Sequence, residues 1–90
     1  MHLPVKKIKE HAKLPTYGHE GDAGADVYSA EDYLIQPGKR ETISTGVCLA
    51  IPYGYVGLIW DKSGISTKTG VLTIAGVIDS TYRGEVLIAL

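Results

Sequence analysis

The stretch that decides the fold is Ala75-Gly76-Val77-Ile78-Asp79-Ser80-Thr81-Tyr82-Arg83-Gly84-Glu85-Val86-Leu87-Ile88-Ala89-Leu90. An apolar run ends on Asp79, a short polar segment closes at Gly84, and an alternating apolar strand comes next. Two β-runs joined by Asp, Ser and Thr and closed by Gly predict a hairpin. Its tip gathers a carboxylate, an aromatic ring and a guanidinium at Asp79, Tyr82 and Arg83. A turn needs polar residues but has no need for that set, so chemistry is expected at the tip.

Upstream, Thr42 to Ile51 is the clearest strand, with Val47, Leu49 and Ile51 on one face, and Val86 and Ile88 are expected to meet them. Leu3 to Ile8 reads as a short opening strand, and Asp26 to Ala30 as a strand entered from the Gly18 to Gly24 loop. Pro15 biases Leu14 away from helix. Gln36-Pro37-Gly38-Lys39 and Pro52-Tyr53-Gly54 are tight turns, the second leading into a strand from Tyr55 to Trp60. Gly64 to Gly70 reads as a loop. No window keeps apolar residues at helical spacing for three turns, and 11 Gly and 4 Pro punctuate the chain. That pattern predicts one all-β domain over residues 1–90, a barrel or sandwich with no helix beyond about two turns.

Composition narrows the function classes. Ninety residues with 44% hydrophobic content and 21% charge describe a small globular chain, expected to be marginal alone or to lean on partner chains. A net charge of −1 with interspersed signs argues against nucleic-acid or membrane-surface binding through bulk charge. No apolar stretch approaches a membrane span. The single Cys48 lies in an apolar run and reads as a buried small hydrophobe, and a cytoplasmic setting is expected. The chain stops at Leu90 inside an alternating strand, so a sequence cut short is expected, with an exposed edge prone to aggregation.

Three candidate sites stand out. In Asp22-Ala23-Gly24-Ala25-Asp26, small residues allow close backbone approach and Asp26 can hold a metal or its water; such a loop is also ordinary turn chemistry. In Asp61-Lys62-Ser63-Gly64-Ile65-Ser66, hydroxyl, amide and ammonium groups suit a phosphate, although the same residues also cap helices. At the third site, Asp79 can serve as a general base on water and Tyr82 can offer a flat face to a sugar or base. Arg83 and Glu85 read as an ion pair or rim. His2, His11 and His19 show no ligand spacing.

These residues carry a resemblance. Leu14-Pro15-Thr16-Tyr17 with Ala23-Gly24-Ala25-Asp26-Val27 resembles the first motif of the trimeric dUTP pyrophosphatases (dUTPases). Lys62-Ser63-Gly64 resembles the second, and Gly76 to Glu85 the third. The resemblance implies a β-clip or distorted jelly roll, incomplete at the C-terminus, from a homotrimer that hydrolyses dUTP to dUMP and pyrophosphate with Mg²⁺. It implies that Asp79 activates the attacking water and that Tyr82 stacks on the deoxyribose, leaving no room for a 2′-hydroxyl. Backbone at Gly76, Val77 and Ile78 would read the uracil edge. Lys62, Ser63 and Gly64 would hold phosphate oxygens, often across a subunit boundary, and Asp26 would place Mg²⁺ largely through water.

The chain departs from the pattern in places. Asp61-Lys62 stands where the family usually has Pro-Arg, and Lys lacks the bidentate fork of Arg. Thr73 stands where many relatives place Asn, and the fourth and fifth motifs are missing. A dCTP deaminase, alone or bifunctional, is the nearest alternative, but Asp79 and Tyr82-Arg83 have the dUTPase form. An inactive fragment that binds a nucleotide or a partner chain is a second.

Overall fold

The computed structural model describes residues 2–90. Its spine is β2 (Thr42–Leu49), whose β-branched Thr42, Ile43, Thr45 and Val47 suit a pleated, half-buried surface. It pairs antiparallel with β1 (Val5–Lys7) on one side and β5 (Glu85–Ala89) on the other. Between them in the chain, β3 (Gly57–Leu58) and β4 (Val77–Ile78) form a separate antiparallel ribbon, and α1 (Ser63–Thr69) connects the two.

The register of β2 against β5 is broken. Ser44 faces Leu87, but Cys48 faces Glu85, so β2 carries extra residues over that interval. Such a bulge needs a residue that tolerates unusual backbone, and Gly46 sits there at φ 70°. It is also tightly enclosed: a Cβ on Gly46 would stand 2.6 Å from that of Ala12 and 3.1 Å from that of Lys9. The bulged amide is not orphaned, because it donates to the Glu85 carboxylate at 2.8 Å.

One core joins the two sheets. Val47, Leu49 and Ile51 meet Ile78, Val86 and Ala12, with Val5, Ile59 and Ile88 packed at the edge. The five positions expected to face inward therefore do so. Each fully buried Val or Ile contributes about 1.5–3 kcal/mol, the main term holding so small a chain together.

Several expectations are corrected. The strand-turn-strand stretch around Asp79 is not a hairpin: β4 pairs with β3 and β5 pairs with β2, so the turn passes between sheets. Alternation reports which face of a strand is buried and is blind to the strand's partner. The strand expected from Asp26 to Ala30 reduces to a single bridge between Thr16 and Asp26, and that from Tyr55 to Trp60 reduces to β3.

The loop expected from Gly64 to Gly70 is mostly helix. Thr67 and Thr69 donate their hydroxyls back to the Ser63 and Ile65 carbonyls, both at 2.7 Å. Gly70, at φ 74°, closes the helix with its N–H on the Ser66 carbonyl. These local bonds offset poor intrinsic propensity, and the helix stays within about two turns. Cys48 is half-buried rather than buried, since it points to the face opposite Val47 and Leu49. Both expected tight turns form: Lys39 N–H bonds the Gln36 carbonyl, Tyr55 N–H bonds that of Pro52, and Gly38 and Gly54 have positive φ. Among the described residues, no helix is long and apolar enough to cross a membrane.

Candidate active site

Two groups of the expected site residues emerge. The first lines an open cleft of about 600 Å³ bounded by Asp26, Asp61, Lys62, Ser63, Gly64 and Lys68. Thr16 and Asp26 exchange both backbone hydrogen bonds, at 3.1 and 2.6 Å, which fixes Asp26 at the cleft wall. Its Oδ1 accepts from Lys62 Nζ at 3.1 Å. Lys62 is also the N-cap position of α1, but it makes no side-chain cap bond. Ser63 and Gly64 open the helix and line the cleft.

Asp61 does not cap the helix. Asp61 instead turns to Thr73, accepting from its N–H at 2.6 Å and from its hydroxyl at 2.7 Å. Those two bonds hold the Asp61 carboxyl below the usual aspartate range, with the Thr73 N–H the larger cause. Sequence reasoning missed this pair. No periodicity links residues 61 and 73, and in the sequence both stand out only as departures from a motif.

The second group lies on the turn between β4 and β5. Tyr82 N–H closes the turn on the Asp79 carbonyl at 3.0 Å. The Asp79 side chain is exposed and makes no ion pair among the described residues, which leaves its carboxylate open to solvent. Tyr82 is seated from below: its hydroxyl donates to the Glu85 carbonyl at 2.6 Å, and the ring lies over Gly84. A Cβ on Gly84 would meet the Tyr82 oxygen at 2.8 Å. The glycine is thus dictated by the ring.

Gly76 is dictated by packing of another kind. A Cβ there would run into the Ile59 carbonyl oxygen, and Ile59 N–H donates to the Gly76 carbonyl at 2.8 Å. Ile78 is buried in the core, while Val77 is exposed on the opposite face of the ribbon.

Arg83 and Glu85 do not pair with each other. Arg83 donates to the Ser80 carbonyl at 2.5 Å and the Tyr82 carbonyl at 3.0 Å, stiffening the turn. The Glu85 carboxylate accepts from Ser44 Oγ and from Gly46 N–H. Those bonds, that from Ser44 first, hold it below the ordinary glutamate range. Lys9 completes the cluster by donating to Ser44 Oγ and to Glu31, both at 2.7 Å.

Asp79, Tyr82 and the Gly76–Ile78 backbone do not line the Asp26–Lys62 cleft. Among the described residues, no three His, Cys, Asp or Glu side chains converge as a metal cage. The His19 N–H donates to the Asp22 carboxylate at 2.9 Å, and its ring Nδ1 lies 3.6 Å from the same group, with the rest of the ring solvated.

Residues 10–90 match the dUTPase family model. Deoxyuridine 5′-triphosphate nucleotidohydrolases of Mycobacterium avium and Mycobacterium tuberculosis are 44% and 43% identical over 90 residues, each comparison covering 98% of this chain. The chain spans 58% of the length of both of these relatives. Among solved structures, the dUTPase of phage phi11 of S. aureus, described with a structural Mg(II) ion, superposes with a TM-score of 0.93 at 39% identity, covering 99% of this chain and 58% of that one. The Staphylococcus bacteriophage 80alpha dUTPase bound to dUPNHPP gives a TM-score of 0.91 at 40% identity, covering 97% of this chain and 52% of that one. With its fold, its motifs and most of its length in agreement, the chain belongs to the dUTPase family.

Proposed function

We propose that the protein is a dUTP diphosphatase, hydrolysing dUTP to dUMP and pyrophosphate, with residues 1–90 acting as one domain that supplies the base, sugar and metal-facing residues. The observation that carries this reading is the Asp79–Tyr82 turn, which presents a solvent-open carboxylate beside a ring seated on Gly84. Asp79 takes a proton from the attacking water, and Tyr82 packs on the deoxyribose where a 2′-hydroxyl would otherwise sit. Backbone groups from Gly76 through Val77 to Ile78 read the uracil edge, held in place by the close packing of Gly76 on the Ile59 carbonyl. Lys62, Ser63 and Gly64 hold phosphate oxygens.

The donor set suits Mg²⁺ in this role. Magnesium keeps several waters and is held by one or two carboxylates together with substrate phosphates, so a full protein cage is not required. Asp26 is the residue that would hold it, exchanging Lys62 for the hydrated ion. Bound there, Mg²⁺ supplies neutralising charge to the triphosphate.

The separation of the two groups of residues favours a site completed between subunits. The outer face of the ribbon supports self-association as a homotrimer: Leu58 and Val77 are cross-strand partners, 54% and 65% exposed, and Trp60 is close by in the chain at 79%. Apolar faces of this kind mark interaction sites. The free Cys48 thiol fits a reducing cytoplasm.

Incubating the full-length protein with dUTP, dCTP and UTP tests the reading. Pyrophosphate is expected from dUTP far faster than from dCTP or UTP. Ammonia from dCTP would assign it to the deaminases instead, and no turnover would leave a binding role.

A further inference from the structure

The carboxylate of Asp61 stands at the rim of the cleft yet is engaged by neither Lys62 nor Lys68 among the described residues. Both of its hydrogen bonds come from Thr73, the N–H and the hydroxyl converging on one oxygen at 2.6 and 2.7 Å. The Thr73 hydroxyl also reaches the Ile59 carbonyl at 3.3 Å. Two residues beyond Thr73 the backbone is strained. Ala75 has φ 53°, the only non-glycine residue with positive φ among the described residues. An alanine holds that conformation only where its surroundings over-determine it.

Three ties supply that determination. Asp61 fixes Thr73, Ile74 N–H bonds the Ala89 carbonyl at 3.0 Å, and Ile59 N–H bonds the Gly76 carbonyl at 2.8 Å. Two of the three come from the segment that runs directly into Lys62 and α1. The Gly76 backbone cannot drift without releasing Ala75, and Ala75 cannot relax while Thr73 is held.

We propose that Asp61 is a positioning residue for base selection: by latching Thr73 it holds the strained Ala75 turn and so sets where the backbone of Gly76 to Ile78 meets the nucleobase. This rests on the reading that this backbone faces the base. Breaking the latch therefore acts on discrimination between bases.

The test uses the full-length protein, with kcat/KM measured for dUTP and dCTP and inhibition measured with pyrophosphate alone. Asp61→Ala is expected to lower the dUTP-to-dCTP ratio about tenfold, through KM. Thr73→Val keeps the shape and the N–H bond while removing the hydroxyl bond, and is expected to lower the ratio by about threefold. Asp61→Asn keeps an acceptor for both donors and should stay near the parent. The two losses should not add when combined, because they break the same latch.

If Asp61→Ala fails to fold, Thr73→Val and Asp61→Asn still decide the matter. An unchanged ratio in Thr73→Val, or a pyrophosphate constant shifted as much as the KM for dUTP in that charge-neutral variant, overturns the proposal while leaving the diphosphatase reading intact. A parent protein inert toward dUTP overturns that reading first.

Discussion

The hydroxyl of Tyr82 donates to the main-chain carbonyl of Glu85 at 2.6 Å, pinning the ring across Gly84. The Glu85 side chain is meanwhile anchored on the far side by Ser44 and the bulged Gly46 amide. The ring that would face the sugar is thus tied, through one residue, to the register break in β2. Gly84→Ala should displace the ring and lower kcat/KM for dUTP by about 10²-fold, as small misplacements at a reacting site do. Urea unfolding should change little, because neither Gly84 nor Tyr82 belongs to the buried core.

Gly46→Ala should do the opposite, damaging the fold before the chemistry. It combines a left-handed backbone with a 2.6 Å approach to Ala12. A loss of roughly 2–5 kcal/mol is expected from these two effects together, read as a lower urea midpoint at unchanged slope.

Glu85 also gives the protein a pH signature. Its carboxyl is held low in the folded state by Ser44 and Gly46. Because the folded value lies below the unfolded one, the stability it contributes is complete above the unfolded value, about pH 4.5. It drains away as pH falls through the folded value. Glu85→Gln should flatten that acid limb in chemical denaturation measured between about pH 5 and pH 2.5. If the two limbs superpose, Glu85 is not the group responsible.

How much of this was legible beforehand differs from element to element. β2 and the inward-facing Val47, Leu49, Ile51 and Val86 were readable because alternation directly encodes which face is buried. The pairing of Val77 with Leu58 was not, since a period of two carries no address for the partner strand. The helix at Ser63–Thr69 was hidden because its support comes from Thr side chains bonding backward and from Gly70, while the residues themselves favour it weakly. Among the site residues, Asp26, Lys62, Ser63, Asp79 and Tyr82 were named from motif chemistry. The Asp61–Thr73 latch joins residues far apart in sequence, and only the folded chain brings them together.

The Lys62–Asp26 pair separates binding from stability. It is exposed on both sides, and such pairs contribute about 0–1 kcal/mol to folding. Lys62→Met should therefore leave the unfolding midpoint nearly unchanged. As a lost charge on phosphate, it should raise KM for dUTP by about tenfold or more. A large stability loss with intact KM would reverse that assignment.

Activation of water by Asp79 for attack on dUTP is tested most directly by Asp79→Asn in the full-length protein. Pyrophosphate release and dUTP binding are measured in the same preparation, with Mg²⁺ present. An amide cannot take the proton from water, so turnover should fall by about 10²–10⁴-fold, while dUTP still binds with near-parental affinity. Hydrolysis of dUTP by the Asn variant at the parental rate would contradict the account.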